Sequence, residues 1–217
     1  MAHGTLLFPG IALRAFLLGI LCATSATIAA LLVSGDCRLW RLPAYVSIMS
    51  TFHFLEFYVT ARWNNPRAEI ASFLLSTHDY KIAHSCGILE IAITSQIFPG
   101  WHARLVTVHT IVGGAILTVL GQVVRTSAMV QSGYSFNHQL ENEKREDHKL
   151  INTGLYSWSR HPSYIGLYFL FVGIQIMVGN KFSTLFFACF LWVCLKKRIQ
   201  CKSVDTSIAS PAAKLFL

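Results

Sequence analysis

Five stretches of this chain are too apolar for an ordinary soluble domain of its size: Ile11 to Val33, Leu42 to Ala61, Ile82 to Phe98, Leu105 to Val124 and Tyr164 to Leu195. A hydrocarbon layer about 30 Å thick takes about 20 apolar helical residues, so each of the first four reads as one crossing. The fifth is interrupted near Gly179, Asn180 and Lys181 and reads as two shorter helices joined by a tight turn. The expected fold is all-α: a polytopic integral membrane protein with about six transmembrane helices, ending in a helical hairpin. The composition agrees, since 53% of the 217 residues are hydrophobic and only 13% are charged. The first stretch does not read as a cleaved signal peptide. No basic cluster precedes it, Arg14 falls inside it, and it is long.

The net charge is +8, but the basic residues stand at the ends of apolar segments and form no stripe interleaved with aromatics, so nucleic acid is not the expected partner. Membrane topology explains them better. If the long polar segment Arg125 to Arg160 faces the cytosol, that side also receives Arg62, Arg67, Lys81, Lys144, Arg145, Lys149, Lys196, Lys197, Arg198, Lys202 and Lys214. The other side keeps Arg38, Arg41, Arg104 and Lys181, which is the asymmetry of a positive-inside protein. The six cysteines form no C-x-x-C pair and no Cys/His ligand spacing, so neither a disulfide frame nor a metal site is expected.

Within the second span, His53 and Glu56 lie three residues apart and share a helical face. Ionisable groups in hydrocarbon are costly, so both should face a protein interior or a wet cavity; they satisfy each other or a neighbouring helix, or they serve function directly. Glu90 in the third span carries the same expectation, its partner open.

Chemistry concentrates between the fourth span and the hairpin. Ser135-Phe136-Asn137-His138 leads into the charged run Glu141 to His148, then Leu150-Ile151-Asn152-Thr153-Gly154-Leu155-Tyr156, then Arg160-His161-Pro162-Ser163-Tyr164-Ile165-Gly166. Pro162 fits the first turn of a helix, where its missing N–H is no loss. That helix would begin at the membrane surface with N–H donors free for a carboxylate or phosphate beside Arg160 and His161. Singly, each member has a bland explanation: an interfacial aromatic belt of Tyr156, Trp158 and Tyr164, a basic anchor, a solvated loop. Belt and anchor residues do not require one order and spacing.

Phe136-Asn137-His138, Thr153-Gly154-x-Tyr156 and Arg160-His161-Pro162-Ser163-Tyr164-x-Gly166, followed by a membrane hairpin, resemble the protein-S-isoprenylcysteine O-methyltransferase family. Upstream, Phe52-His53-Phe54-x-Glu56-Phe57-x-Val59-Thr60-Ala61, Asn64-Asn65-Pro66 and Ser72-Phe73-Leu74-Leu75 carry the same resemblance, which covers residues 45 to 198. It implies an enzyme of the endoplasmic reticulum membrane, its active site facing the cytosol, that moves a methyl group from S-adenosylmethionine to the C-terminal carboxylate of prenylated CaaX proteins. It also implies that Glu141, His148, Lys149, Leu150, Ile151, Tyr156, His161, Pro162, Ser163 and Tyr164 line the cofactor site, and that Arg198 binds the substrate carboxylate. At Glu141 the family carries an uncharged glutamine. No G-x-G-x-x-G loop is present, so the soluble dinucleotide-type fold is not indicated. No residue is expected to act as general acid or base, because a carboxylate is already ionised at neutral pH.

A further feature sets the chain apart from the pattern. The family places paired glutamates a few residues after the arginine, where this chain has Gln200-Cys201-Lys202-Ser203. Residues 1–199 are therefore read as one membrane methyltransferase domain and 200–217 as a divergent tail. Two alternatives follow: a membrane NADPH-dependent sterol reductase, which shares a similar Arg-His-Pro-x-Tyr-x-Gly loop, and a catalytically weak, truncated isoform that binds prenylated partners.

Overall fold

The computed structural model describes residues 2–35, 37–65, 68–75, 78–100, 106–136, 151–193 and 196. The helices are α1 (Ala2–Ser34), α2 (Arg41–Trp63), α3 (His78–Gln96), α4 (Val108–Ser132), α5 (Leu155–Trp158), α6 (Pro162–Met177) and α7 (Lys181–Val193). Short 3-10 turns occupy Arg38–Trp40, Ile70–Phe73 and Gly133–Ser135, and no strand occurs among the described residues. The expected all-helical fold and the closing hairpin are both present. Two segments, Phe8–Ser34 and Val108–Ser135, are long and apolar enough on their own to cross a membrane, while Pro162–Met177 and Lys181–Val193 are shorter apolar helices.

The helices carry their bulk outward. On α4, Val112, Ile116, Val119, Leu120 and Val123 are exposed, whereas Gly114, Thr118, Gly121, Arg125 and Ala128 are buried. A water-soluble helix does the reverse; small and polar residues inside with large apolar ones outside is the arrangement that hydrocarbon favours.

The buried positions of α4 repeat at alternating steps of four and three, and Gly166, Leu170, Gly173 and Met177 do so on α6. A 3.5-residue period keeps one seam in register between two helices. They run antiparallel: Gly114 meets Met177 and Gly121 meets Leu170. A Cβ on Gly121 would stand 2.8 Å from the Gly166 oxygen, and one on Gly173 2.6 Å from the Thr118 nitrogen, so hydrogen in place of a side chain is what allows this approach.

Gly179, at φ 74°, closes α6: the Asn180 N–H reaches back to the Gln175 oxygen at 2.9 Å and the Gly179 N–H to Ile176 at 3.1 Å, a Schellman-type ending. The next helix is capped from outside. The Glu90 carboxylate of α3 accepts the backbone N–H groups of Phe182 (3.0 Å) and Ser183 (2.6 Å), which answers what Glu90 does in its span. At the same end Arg41, expected from the sequence among the few lumenal surface cations, is instead fully buried. It donates to the Val178 oxygen at 3.0 Å and to the hydroxyls of Thr94 and Ser95, joining α2, α3 and the end of α6. Carbonyl and hydroxyl acceptors gathered from two elements, α3 and the end of α6, are what make burial of a guanidinium tolerable.

Halfway along α2 a second polar thread appears. His53 Nδ1 lies 2.8 Å from the oxygen of Phe73, His53 Nε2 lies 3.3 Å from His84 Nε2, and His84 Nδ1 lies 2.9 Å from the Tyr45 hydroxyl. Through it the turn Ile70–Phe73 folds back against α2, with Phe73 fully buried and its ring stacked on Phe57 at 4.2 Å. Irregular backbone at this depth is tolerated only when protein covers it.

Candidate active site

The C-terminal ends of α2 and α4 and the N-terminal end of α6 meet at one end of the bundle. Arg125 organises the meeting. Expected as a cation at the aqueous edge of a polar loop, it is instead buried within α4, which continues to Ser132. Its Nε and Nη2 donate to the two carboxylate oxygens of Glu56 at 2.8 and 2.9 Å, a bidentate pair between α2 and α4. Its Nη1 donates to the Ser163 oxygen at 3.4 Å, and its guanidinium lies over the Phe136 ring, 5.2 Å from the centroid. The Glu56 carboxylate explains the burial: an arginine can leave water where a matched anion awaits it.

The polar segment between α4 and α6 is fastened at both roots. At the first, the Asn64 side chain, buried at the C-cap of α2, donates from Nδ2 to the Phe136 oxygen at 2.7 Å. At the second, the Leu155 N–H donates to Gln131 Oε1 at 2.9 Å and the Tyr156 hydroxyl donates to the Ala128 oxygen at 3.2 Å. Gly154 sits at φ 59° so close to Gln131 that a Cβ would meet Oε1 at 2.8 Å, so this position takes glycine for both its turn and its space. Burial raises the Tyr156 phenol above its ordinary range, against opposing pulls from Ser132 and Arg125; it is a neutral donor.

Pro162 stands in the first turn of α6, as its sequence position suggested, and the Tyr164 and Ile165 N–H groups bond to the His161 oxygen. The His161 and Tyr164 rings stack at 5.6 Å and 15°, and the His161 N–H donates to the Ser159 hydroxyl. Of the site residues expected from the sequence, Tyr156, His161, Pro162, Ser163 and Tyr164 thus gather around the α4–α6 junction. Ile151 is half-buried at the near end of the same segment. Glu141, His148, Lys149, Leu150 and Arg198 lie outside the described residues. No cluster of metal-ligating groups occurs among the described residues.

Sequence reasoning missed three contributors: Arg125, Gln131 and Asn64. Arg125 had a readable signal, because it falls on the same four-three repeat as Gly121 and Ala128 and one unmatched carboxylate, Glu56, awaited a cation in the neighbouring span. Asn64 entered the sequence reading only as part of Asn64-Asn65-Pro66, one of the segments that carry the family resemblance. The reading of His53 and Glu56 as groups satisfied within the protein holds for both, through Phe73 and His84 for one and Arg125 for the other.

Packing and site together define an all-helical protein of the membrane type, with a polar site assembled where α2, α4 and α6 meet. Residues 114–206 match the family model of the isoprenylcysteine carboxyl methyltransferase family. The protein-S-isoprenylcysteine O-methyltransferase of Saccharomyces cerevisiae is 41% identical over 160 residues, covering 72% of this chain and 67% of that one. The Schizosaccharomyces pombe enzyme of the same name is 33% identical, covering 74% and 72%, and the Homo sapiens one is 33% identical, covering 72% and 54%. The chain thus spans about two thirds of the yeast relatives and about half of the human one. The solved structure of a eukaryotic intramembrane Ras methyltransferase, itself an isoprenylcysteine carboxyl methyltransferase, superimposes with a TM-score of 0.78 at 31% identity, over 88% of this chain and 66% of that one. The chain belongs to the isoprenylcysteine carboxyl methyltransferase family, and methyl transfer to a prenylcysteine carboxyl group is the function that this membership carries.

Proposed function

We propose that the chain esterifies the C-terminal prenylcysteine carboxylate of CaaX-processed proteins with the methyl group of S-adenosylmethionine, in the endoplasmic reticulum membrane and from its cytosolic face. Residues 1–199 form the methyltransferase domain in this reading, six of its helices cross the bilayer, and 200–217 are a divergent tail. The observation that carries it is the cluster of Tyr156, His161, Pro162, Ser163 and Tyr164 at the junction of α4 and α6.

The residues present suit this cofactor. Aromatic rings at Tyr156, His161 and Tyr164 suit a purine or sulfonium, and Asn64 keeps a buried oxygen without a donor. When bound, S-adenosylmethionine supplies an electrophilic methyl group on sulfur. Glu141, His148, Lys149, Leu150, Ile151, Tyr156, His161, Pro162, Ser163 and Tyr164 hold it, and Arg198 pairs with the substrate carboxylate through its planar fork. No side chain needs to take a proton, since the nucleophile is already ionised. Alignment in near-attack geometry contributes about 7 to 11 kcal/mol in the best intramolecular cases, and exclusion of water from the carboxylate adds to it. The lipid-facing helices give the prenyl chain an apolar approach from the bilayer.

The test is methyl transfer from labelled S-adenosylmethionine to N-acetyl-S-farnesylcysteine by the purified chain, with S-adenosylhomocysteine and NADPH compared as thermal stabilisers. Protection by NADPH alone, without methyl transfer, would favour the sterol reductase reading instead.

A further inference from the structure

Four buried side-chain atoms among the described residues have no hydrogen-bond partner: Arg41 Nε, Gln175 Nε2, Asn180 Oδ1 and Asn64 Oδ1. The first three belong to α2, α6 and the α6–α7 turn at the end remote from the site, where the same side chains are anchored through other atoms or packed among polar neighbours. Asn64 is different in place. It is 3% exposed, and it holds the root of the polar segment through Phe136, whose ring packs on Arg125, which in turn holds Ser163. Three successive contacts therefore tie it to the cofactor cluster.

The orientation of the carboxamide follows from its one bond. At 2.7 Å from a carbonyl oxygen the nearer atom must be the N–H₂ group, since two oxygens would repel, so the remaining Oδ1 is an acceptor. A buried acceptor without a donor is destabilising, and such atoms are rare enough to need a reason. The chemistry of the reaction distinguishes between the two ligands. A prenylcysteine carboxylate offers only acceptor oxygens at its reacting end and would be repelled by Oδ1, whereas a methyl donor of the S-adenosyl class presents an α-ammonium, ribose hydroxyls and an adenine amino group, all donors.

Resting on the methyltransferase reading above, we propose that Asn64 is a cofactor-binding residue: its Oδ1 accepts an N–H or O–H of the bound methyl donor while its Nδ2 keeps hold of Phe136. Asn64 thereby couples cofactor binding to the position of the segment root. One side chain does both, so its removal acts on affinity through a specific ligand atom and not only through the fold.

Calorimetric titration of S-adenosylhomocysteine into the full chain in lipid nanodiscs tests it, with three analogues that lack the α-amino group, the ribose hydroxyls or the adenine amino group. Wild type should lose at least fivefold in affinity for each analogue lacking a donor that it uses. Asn64→Ala should bind the parent ligand at least fivefold more weakly, yet should show no further loss with one of the three analogues. A strut holding only Phe136 would lower affinity for all four ligands by the same factor, and that parallel loss would overturn the proposal, as would unchanged affinity in Asn64→Ala. Asn64→Leu, which keeps the side-chain volume but has no acceptor oxygen, provides a second measurement should the alanine variant fail to fold. It too should show no further loss with one of the three analogues, and equal losses across all four ligands relative to wild type would again overturn the proposal. If wild type binds no S-adenosylhomocysteine, the cofactor reading itself falls, and this inference with it.

Discussion

The close approach of α6 to α4 at Gly166 predicts a sharp response to a single methyl group. Substituting alanine at Gly166 would place a Cβ 2.4 Å from the nitrogen of Arg125 and 2.8 Å from the oxygen of Gly121, both backbone atoms that no rotamer change can move aside. Ordinary carbon contacts begin near 3.4 Å, so α6 must retreat from α4 by about one ångström along the seam. Overpacking of this kind is destabilising by about 1–3 kcal/mol, only partly offset by the better helix propensity of alanine, about 1 kcal/mol. At about 2–4 °C per kcal/mol for a chain of this size, Gly166→Ala should lower the midpoint of thermal unfolding in detergent by a few degrees. The retreat also lengthens the Arg125 to Ser163 contact, already 3.4 Å, so S-adenosylhomocysteine should bind more weakly as well. Gly113, also on α4 but with nothing within 4 Å of its Cβ position, is the internal control, and Gly113→Ala should be neutral or mildly stabilising. Equal midpoints for Gly166→Ala and Gly113→Ala in fluorescence-detected size-exclusion melts would refute the account of the seam.

Breaking the buried pair with Arg125→Met should be destabilising by about 3–5 kcal/mol, because Glu56 is left charged and alone, while Arg125→Met with Glu56→Leu should recover much of the loss; a double variant as unstable as the single one removes the argument. His161→Ala and Tyr164→Ala should each weaken cofactor binding and leave membrane insertion intact, which equilibrium binding and alkali extraction measure separately. Arg198→Ala should raise the substrate KM with little change in cofactor affinity, and Arg198→Lys should rescue poorly because the planar fork is lost; Lys202→Glu should strengthen cofactor binding, and a flat response in both assays counts against the tail reading. A cysteine placed at Gln139 should react with an impermeant maleimide from the cytosolic side of sealed microsomes; labelling only from the lumen would overturn the proposed orientation.

The helices were legible because hydrocarbon demands long apolar runs, and the turn at Gly179-Asn180-Lys181 was legible because glycine frees the backbone to reverse there. What failed was the assumption that these cations face water. Arg125 lies inside α4 and Arg41 opens α2, yet both are buried, each held by acceptors from other elements whose proximity no local pattern records. The site residues at 156–164 were found because their order is dense and local. Asn64 and Gln131 were not, since each acts on a residue more than twenty positions away. A four-three repeat of small residues in α4 and α6 was visible in the sequence and would have predicted their contact, had the period been sought among glycines instead of leucines.

The thread from Tyr45 to Phe73 has a direction that one backbone atom dictates. The Phe73 carbonyl can only accept, so the proton of His53 sits on Nδ1 and its Nε2 is a bare lone pair. His84 must therefore offer its own Nε2–H across the 3.3 Å gap, which leaves His84 Nδ1 to receive the Tyr45 hydroxyl. Every ring in the relay is assigned a single tautomer without any titration having been measured. Inverting the sequence of donors would ask a carbonyl for a hydrogen it does not carry, and an added proton between the two imidazoles would set two N–H groups head to head. The interior of α2 and α3 thus behaves as a one-way string, and nitrogen-15 shifts of His53 and His84 should report opposite protonated atoms on the two rings.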